Sequence, residues 1–303
     1  MPLISPAVSI IVPCFNSAQF IDRTLAGLIP EISQYDDVEL ILVDNNSLDN
    51  TLELLQQAAA DYQQQFGSAA IKVLQATAAQ GVNVARNFGA RHASGSLLLF
   101  TDHDDAVCVG WLAAFRNAFS QGARIAAGPY SEYTSDGSLI QEVTTPELHH
   151  WDIPYGLGSN SGITRSGFER INGFQEDWHG GGDDADFFWR AHFAGMELVF
   201  VPEARIAHHM RDEEKATFSQ FVGYGRSAVR LYVKFKALGM PRSSISRAIA
   251  AWPLALLELA ASNIRSDRLS HNKNLVNRRR AISRLGVRSG RLLESFRQRT
   301  IYL

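Results

Sequence analysis

Two short clusters of aspartates provide the side chains best suited to chemistry in this chain. The first cluster, Asp102, Asp104 and Asp105, follows an apolar run, and the second, Asp183, Asp184 and Asp186, follows a run of three glycines. Carboxylates that end a buried strand suit a hard divalent cation, and such a cation suits a diphosphate. A carboxylate that opens a helix after flexible glycines can serve as a base. The two clusters together predict metal-assisted transfer from a nucleotide-activated donor.

The elements that must position these acids alternate along the first 120 residues. We predict strands at 8–12, 38–43, 71–74 and 96–101, and helices at 18–33, 51–65, 81–93 and 111–119. Such alternation favours a mostly parallel, doubly wound sheet. Ligands of these sheets bind beyond the carboxyl ends of the strands, where Asp44 and Asp102 both fall. This agreement is the main reason for interpreting the acids as a site.

The pattern becomes less regular after residue 119. Residues 125–145 indicate short strands, and the glycine- and serine-rich residues 151–166 indicate a loop region. A helix over 184–193 and a strand over 198–201 follow. From residue 218 onward the sequence predicts helices of increasingly basic character.

Several short motifs occur in order between residues 6 and 235, and the ordered set is more specific than any single motif. They are residues 12–16, residues 43–51, Gly81, Ala85-Arg86-Asn87, Gly89, Ala93, Gly95, Asp102-His103-Asp104, Gly173-Phe174, residues 183–190 and His208. The set resembles the family 2 glycosyltransferases, which use nucleotide sugars on an A-type glycosyltransferase fold. The resemblance implies a Rossmann-like, doubly wound mixed α/β sheet, and the helical, basic pattern after residue 218 predicts a helical, basic C-terminal appendage. We predict a catalytic domain over 1–235, with a nucleotide-binding half (1–105) and an acceptor half (106–235), and a basic tail over 236–303.

The end of the first strand can form a pocket for a nucleotide base. Phe15 offers a ring face, and stacking of a base on an aromatic ring is worth about 1–3 kcal/mol in nucleic-acid complexes. Asp44 can accept hydrogen bonds from a base N–H or a ribose hydroxyl. The resemblance implies these roles, with Pro13 lining the same pocket. A guanidinium at Arg86, near the diphosphate or the base, would also fit nucleotide recognition.

Each of these assignments has a structural alternative. Asn16 and Asp49 are good cap residues, so the pocket can also be interpreted as a tight strand-to-helix turn. Arg86 can form an ion pair with an aspartate at the sheet end. In the first acidic cluster, Asp105 can cap the helix that starts at Trp111, with its neighbours as solvated loop acids.

The resemblance implies a Mn²⁺ or Mg²⁺ site at the first acidic cluster. In the family the second aspartate, here Asp104, binds the cation directly, and the first, Asp102, contacts the ribose or coordinates through water. A cation there neutralises the charge that builds on the departing nucleoside diphosphate. The resemblance also implies a ligating histidine, most naturally His208, with His209 as the fallback. The alternative is a structural or exposed histidine.

Asp184 aligns with the catalytic base of the family, and an inverting transfer needs a carboxylate close to the acceptor hydroxyl. Helix capping is the alternative, since acids favour the first turn of a helix. The family has glutamate where this chain has Asp183, and the shorter side chain leaves open whether it holds an acceptor hydroxyl. Asp183, Trp178, His179 and Asn160 are predicted to contact the acceptor.

Opposite charges are segregated along the chain, although the net charge is only −2. Residues 1–225 hold 12 Lys and Arg against 28 Asp and Glu, whereas residues 226–303 hold 17 against 3. The apolar stretch 248–261 is shorter than the roughly 20 residues needed to cross a bilayer. We expect the basic residues 242–299 to lie on an anionic membrane surface, or else to pack on the acidic part of the same chain.

Composition limits the class of protein further. Of the 303 residues, 46% are hydrophobic and 20% are charged, as in globular proteins, and the two cysteines provide no disulfide framework. The N-terminus lacks the pattern of a signal peptide, which favours a cytoplasmic protein, peripheral on the inner face of the cell membrane if the tail binds lipid. Nucleic acid is not expected as a partner, because recognisable base-reading elements are absent.

The sequence therefore predicts a metal-dependent, inverting glycosyltransferase. It would move a hexose-type sugar from a nucleoside diphosphate sugar to a hydroxyl-bearing saccharide or a lipid-linked acceptor. One alternative is a nucleotidyltransferase that makes the activated sugar, but residues 13–24 lack the glycine-rich, basic loop that this chemistry needs. Another alternative is a non-catalytic module that binds nucleotides or carbohydrates.

Overall fold

The protein forms two compact units. The computed structural model describes residues 8–67, 70–134, 137–148, 151–178, 180–209, 214–242, 252–254, 256–257, 260 and 271–302. The first unit comprises Met1–Leu148, Ile153–Asp177 and Asp184–Met210, and the second comprises His149–Asp152, Trp178–Asp183 and Arg211–Leu303. The first unit therefore contains the predicted sheet, and the second contains the basic helices.

Strands and helices alternate through the first two thirds of the chain. The strands are β1 (Val8–Cys14), β2 (Val38–Asp44), β3 (Ile71–Gln75), β4 (Leu97–Thr101), β5 (Asp105–Val107), β6 (Ile125–Ala127), β7 (Tyr130–Tyr133), β8 (Leu139–Val143), β9 (Asn160–Thr164), β10 (Leu198–Phe200) and β11 (Ile206–His209). The helices are α1 (Ile21–Ile32), α2 (Thr51–Phe66), α3 (Val82–His92), α4 (Trp111–Ser120), α5 (Arg165–Arg170) and α6 (Asp183–Phe193). The alternation predicted for the first 120 residues is confirmed.

A seven-stranded mixed sheet forms the centre of the first unit, in the order β10-β6-β9-β4-β1-β2-β3. β1 pairs in parallel with β2 and β4, and β2 pairs in parallel with β3, whereas β9 runs antiparallel to β4 and β6. All residues of β1 and β2 are buried, as expected for strands that are covered on both faces. Cys14 lies opposite Asp44, so these two strands end side by side.

Helices cover both faces of this sheet. Successive residues of a strand point to opposite faces, so neighbouring residues of β1 contact different helices. Ile10 belongs to the same buried cluster as Leu28 of α1 and Phe115 of α4. Ile11 belongs to a second cluster, with Ala85 of α3 and Phe187 of α6. The predicted doubly wound α/β arrangement is therefore confirmed.

A smaller four-stranded sheet, in the order β5-β11-β7-β8, begins just after the end of β4. β11 runs antiparallel to β5 and parallel to β7. This register places His208 of β11 opposite Asp105 of β5. The second sheet therefore brings the histidine region to the first acidic cluster, although the two residues are 103 positions apart in the sequence.

The loop predicted over 151–166 is wrong in part, because residues 160–164 form β9. This strand lies between β4 and β6 in the buried centre of the sheet. A Cβ at Gly162 would lie 2.6 Å from Leu99 Cδ2 and 3.0 Å from a ring carbon of Phe119. Small residues are therefore needed where large neighbours already fill the space, and they give this strand the composition of a loop.

Long helices dominate the described part of the second unit. α7 (Glu214–Phe235) leads into a short 3₁₀ turn (Lys236–Leu238), and α8 (His271–Arg297) packs along α7. A Cβ at Gly225 of α7, or at Gly290 of α8, would overlap a backbone oxygen of the other helix. Glycine at these positions lets the two backbones approach closely. The predicted helical C-terminal appendage is therefore confirmed.

The apolar stretch 248–261 lies largely outside the described residues, which include only 252–254, 256–257 and 260 of it. Three leucines in this stretch, Leu254, Leu256 and Leu257, are exposed. Among the helices that the structure describes, none combines the length and the apolar character that crossing a bilayer requires.

Candidate active site

The ends of β1 and β2 bring the predicted base-pocket residues together. Pro13 is buried, and Phe15, which follows β1, keeps 37% of its surface exposed. Asp44 ends β2 and is only 6% exposed. Its Oδ1 is buried and has no hydrogen-bond partner in the part of the chain that the structure describes. A buried acceptor in this state is unfavourable unless a ligand supplies a donor.

Asn16 and Asp49 stabilise the turns after β1 and β2, although neither is the N-cap residue of α1 or α2. Asn16 Oδ1 accepts a hydrogen bond from the Leu48 N–H at 2.8 Å. Asp49 Oδ1 accepts from the Thr51 hydroxyl at 2.5 Å and from the Thr51 N–H at 3.1 Å. These bonds order the loops after β1 and β2 without using the side chains of Phe15 or Asp44, so the turn does not exclude the predicted base pocket.

Asn45 is a positioning residue that the sequence does not single out. Its amide nitrogen donates to the backbone oxygens of Ala76 and Ala79, each at 2.7 Å. Its Oδ1 accepts from the Gly81 N–H at 2.6 Å. Gly81 directly precedes α3, so Asn45 fastens the end of β2 to the helix that carries Arg86. All its partners are backbone atoms distant in sequence, so the motif at residues 43–51 does not by itself reveal this role.

Arg86 is buried at the end of the sheet and contacts the first acidic cluster. Its side chain donates from Nη2 to Asp102 Oδ1 at 2.8 Å and from Nη1 to Asn83 Oδ1 at 3.3 Å. The guanidinium carbon lies 5.0 Å from the centre of the Phe174 ring. The ion pair that was the alternative for Arg86 is therefore present, and it fixes the guanidinium beside the end of β4.

Asp184 lies beside the same guanidinium. A Cβ on Gly158 would lie 2.5 Å from Asp184 Oδ1 and 3.0 Å from Arg86 Nη1. Glycine therefore leaves the space in which both side chains lie. The predicted base, Arg86 and Asp102 meet in one place within the first unit. Gly158 is a further site residue, and its only sequence signal is a glycine-rich loop.

Asp105 and His208 form an ion pair next to these residues. The Asp105 side chain is fully buried, and its Oδ1 lies 2.6 Å from His208 Nδ1. Burial raises the pKa of Asp105 to about 6, against the opposing effect of His208. Burial alone would lower the pKa of His208, but the hydrogen bond and the charge of Asp105 raise it to about 9. These opposing effects favour a hydrogen bond in which His208 Nδ1–H donates to the ionised carboxylate of Asp105, which leaves Nε2 as the ring nitrogen that can bind a cation.

Negative charge is in excess at the end of β4. The negative charge of Asp104 is a further influence on this pair, and it raises the pKa of both Asp105 and His208. Asp105 Oδ2 is buried and has no hydrogen-bond partner among the described residues. Within those residues, no three ligating side chains are arranged to hold a metal by themselves. A cation here would need further ligands from a bound molecule, such as the oxygens of a diphosphate.

The alternative in which Asp105 caps α4 is wrong. Glu31, near the end of α1, does this instead, because its carboxylate accepts from the N–H groups of Gly110 at 2.8 Å and Leu112 at 2.9 Å. Glu31 is itself buried. Asp105 instead pairs with His208 of β11.

The prediction that Asn160 contacts the acceptor is also wrong. Asn160 is fully buried in β9. Its amide nitrogen donates to the backbone oxygens of Pro129 and Ala204, both at 2.8 Å, and its Oδ1 accepts from Trp111 Nε1 at 2.8 Å. These bonds tie the central sheet to α4 and to the loops before β7 and β11. Asn160 is therefore a structural residue.

Asp186, the last acid of the second cluster, is structural as well. It is fully buried, and its Oδ2 accepts from Arg190 Nε at 2.7 Å. Arg190 Nη1 donates in turn to the backbone oxygens of Ile171 and Gly173. This chain of bonds holds the turn before Phe174 against α6.

The predicted acceptor residues lie largely in the second unit. The Trp178 indole donates to the Gly181 oxygen at 2.8 Å, and Lys234 Nζ of α7 lies 5.5 Å from the centre of its ring. Asp183 is half-buried at the start of α6. His179 and the side chain of His209 lie outside the described residues. Contacts of Trp178, His179 and Asp183 with an acceptor stay predictions.

Known proteins resemble this chain over much of its length. Residues 9–189 match the family described as Glycosyl transferase family 2. Glycosyltransferase AglE of Haloferax volcanii is 32% identical over 259 residues, which cover 82% of this chain and 80% of AglE. Validoxylamine A glucosyltransferase of Streptomyces hygroscopicus is 24% identical over 66% of this chain, and the chain spans only 54% of that relative.

A solved structure has the same fold. Mannosyltransferase PcManGT from Pyrobaculum calidifontis, in complex with GDP-Man and Mn²⁺, has a TM-score of 0.66 and 18% sequence identity, over 98% of this chain and 89% of that chain. This likeness confirms the predicted A-type glycosyltransferase fold. The family match covers more than half of the chain, which therefore belongs to glycosyl transferase family 2, as its motifs predict.

Proposed function

We propose that this chain is a metal-dependent, inverting glycosyltransferase that moves a sugar from a nucleoside diphosphate sugar to a hydroxyl-bearing acceptor. The observation that carries the proposal is the meeting of two acidic clusters around one guanidinium. Arg86 binds Asp102 at 2.8 Å, and Asp184 lies beside the same side chain. Family membership supports the reaction, and the PcManGT complex with GDP-Man supports the class of donor.

The nucleotide would bind at the ends of β1 and β2. The exposed ring of Phe15 is suited to stack on the base, and Pro13 would line the same pocket. Asp44 Oδ1 is a buried acceptor that a base N–H or a ribose hydroxyl would satisfy. Arg86 and Asp102 lie farther along the same sheet edge, where the ribose and the diphosphate would follow.

The cation, Mn²⁺ or Mg²⁺, would be held by Asp104 and Asp102 together with His208, with oxygens of the donor diphosphate as the further ligands that it needs. The residues present fit such an ion, because a metal-ligating histidine usually gives its other ring N–H to a carboxylate, and His208 has this bond to Asp105. Bound there, the cation would neutralise charge on the departing diphosphate. The Mn²⁺ in the PcManGT complex supports this assignment.

Asp184 would act as the base. Its carboxylate takes the proton of the acceptor hydroxyl while that oxygen attacks the anomeric carbon from the side opposite the diphosphate. The bond from the anomeric carbon to the diphosphate oxygen breaks, and the diphosphate keeps the bonding electrons. Configuration inverts because the new bond forms opposite the broken one. Arg86 binds Asp102 and lies beside Asp184, so it would position the bound donor relative to this base.

The acceptor would be a saccharide or a lipid-linked precursor that offers a hydroxyl group. Trp178, His179 and Asp183 remain its proposed contacts, since they lead directly into Asp184 along the chain. In this proposal residues 1–235 carry the catalytic machinery and residues 236–303 form the basic tail.

A thermal-shift panel with UDP, GDP, TDP and their sugars, each with and without Mn²⁺, tests the donor. A ligand that binds only the native state raises the unfolding temperature, so we expect one nucleotide series to do so, and more strongly with Mn²⁺. Release of nucleoside diphosphate from that donor, in the presence of saccharide acceptors, then tests transfer. Stabilisation without any turnover would favour a non-catalytic binding module. Absence of stabilisation by every nucleotide would contradict the proposal.

A further inference from the structure

Four apolar side chains are exposed at the end of α8 and just beyond it. The exposed fractions are 39% for Leu292, 52% for Leu293, 78% for Phe296 and 51% for Ile301. Leu292 and Leu293 precede Phe296 by four and three positions, so the three side chains are neighbours on one helix face. We call Leu292, Leu293, Phe296 and Ile301 the α8 tip. Its leucines and phenylalanine form one apolar surface instead of isolated exposed residues.

Contacts on the other side of α8 hold the α8 tip in place. Glu294 is 1% exposed and accepts from Arg230 Nε of α7 at 3.2 Å. The Ser295 hydroxyl donates to the Tyr302 oxygen at 3.1 Å and accepts from the Tyr302 N–H at 3.2 Å. The Tyr302 ring stacks on Tyr232 of α7 with centres 4.8 Å apart. The segment that carries Ile301 is thus folded back onto the helices, and the apolar surface needs no ordering before it binds.

The surroundings of the α8 tip are cationic. Residues 226–303 hold 17 Lys and Arg against 3 Asp and Glu, and one of these acids, Glu294, is buried in its pair with Arg230. Arg297 and Arg299 are exposed within and just after the last turn of α8. The exposed leucines at 254, 256 and 257 add apolar surface to the same unit.

We propose that the α8 tip docks on an anionic membrane surface. An apolar cluster flanked by guanidinium groups matches the boundary between acyl chains and negatively charged headgroups, where the apolar side chains leave water and the cations stay at the headgroups. The helix lies on the membrane and does not cross it. This surface is independent of the proposed sugar transfer, since it uses no residue of the site around Arg86.

Co-sedimentation of the full chain with vesicles tests the proposal. We expect binding to vesicles of phosphatidylglycerol and phosphatidylcholine, and much weaker binding to phosphatidylcholine alone. The triple variant Leu292→Ser/Leu293→Ser/Phe296→Ser is expected to bind at least about tenfold more weakly. Raising the salt from about 0.1 M to about 1 M, which shortens the Debye length from about 10 Å to about 3 Å, weakens binding of the unaltered chain.

The matched control is Val109→Ser/Leu139→Ser/Leu148→Ser, which removes three exposed apolar side chains from the first unit and is expected to bind like the unaltered chain. Thermal unfolding of both variants establishes that they are folded. No binding to the anionic vesicles, or equal binding by the two triple variants, would overturn the proposal. Neither result would affect the proposed transfer, because the vesicle experiment contains no sugar donor.

Discussion

The two acidic clusters look alike in sequence, and in each of them burial separates one structural acid from the others. In the first cluster Asp105 is fully buried, whereas Asp102 is 27% exposed at the sheet edge. In the second cluster Asp186 is fully buried, whereas Asp184 lies half-buried beside Arg86. Each cluster therefore combines a fully buried acid that maintains the structure with a less buried acid that belongs to the proposed site.

The clusters differ in the partner of the buried acid. Asp105 holds His208, a proposed metal ligand, so burial in the first cluster supports the chemistry directly. Asp186 holds Arg190, which binds the turn oxygens of Ile171 and Gly173, so burial in the second cluster supports the architecture. A run of aspartates is therefore informative only when the contacts of each member are known.

Replacement of Asp184, the proposed base in the second cluster, is expected to have the largest effect. Asp184→Asn should lower kcat by about 100-fold to 10,000-fold, the range for loss of a general base, while donor affinity stays unchanged. Transfer rates and donor titration of the variant measure the two quantities. Asp177→Asn, at an exposed acid outside the site, is the control with unchanged activity. Normal transfer by Asp184→Asn would remove this residue as the base.

Replacement of the buried acid of the same cluster is expected to act on stability instead. Asp186→Asn leaves Arg190 without its anionic partner, so the free energy of unfolding should fall by about 3 kcal/mol. Urea denaturation measures the loss. If Asp186→Asn keeps full stability but loses transfer, Asp186 acts in the reaction and not in the structure.

The contact between the clusters is tested at Gly158. A methyl group there would lie 2.5 Å from Asp184 Oδ1 and 3.0 Å from Arg86 Nη1, so Gly158→Ala must displace one of them. We expect kcat to fall by about 10- to 100-fold, since a small displacement of a catalytic group has effects of this size. Ser166→Ala, at an exposed position, serves as the control in steady-state kinetics. If kcat is unchanged in Gly158→Ala, the close approach of Asp184 to Arg86 is not needed for transfer.

The smallest effect is expected at Glu39, at the other end of the strand that carries Asp44. Burial would raise the pKa of Glu39, but hydrogen bonds from Lys72, Ser9 and Ser94 lower it to about 2. Its ionised form therefore stabilises the fold above pH about 4.3, and this contribution is lost as the pH falls towards 2. Glu39→Gln should lower the free energy of unfolding by about 1–2 kcal/mol at pH 7 and by progressively less below pH about 4.

Denaturant unfolding at several pH values measures this dependence, with the exposed Glu53→Gln as the control. A stability difference that stays constant between pH 7 and pH 3 would contradict the pKa assignment. Transfer activity of Glu39→Gln should stay normal at neutral pH, which distinguishes this structural acid from Asp44 on the same strand.

The sequence predicts most of the fold because the parallel strands are continuous apolar runs separated by helices of regular period. β1, β2 and β4 are of this kind, and their ends locate Asp44 and Asp102 correctly at one sheet edge. β9 could not be predicted, because its residues must be small to fit against neighbours that are distant in sequence. Leu99, which contacts the space beside Gly162, is one of them. Local composition has no information about such neighbours.

The same distinction applies to the site. The types and spacing of the acids identify both clusters, but the pairing of Asp105 with His208 depends on the register of β5 with β11. The approach of Asp184 to Arg86 depends on a loop glycine at 158. The failure at Asn160 has the same origin, because three long-range hydrogen bonds make a loop-like residue part of the core.

A crystal of the protein grown with Mn²⁺ and its preferred nucleoside diphosphate would test the central assignment most directly, by anomalous scattering from the metal. A manganese peak bonded both to the carboxylate at 104 and to diphosphate oxygens is the predicted result. A nucleotide that binds with no manganese beside that carboxylate would contradict it.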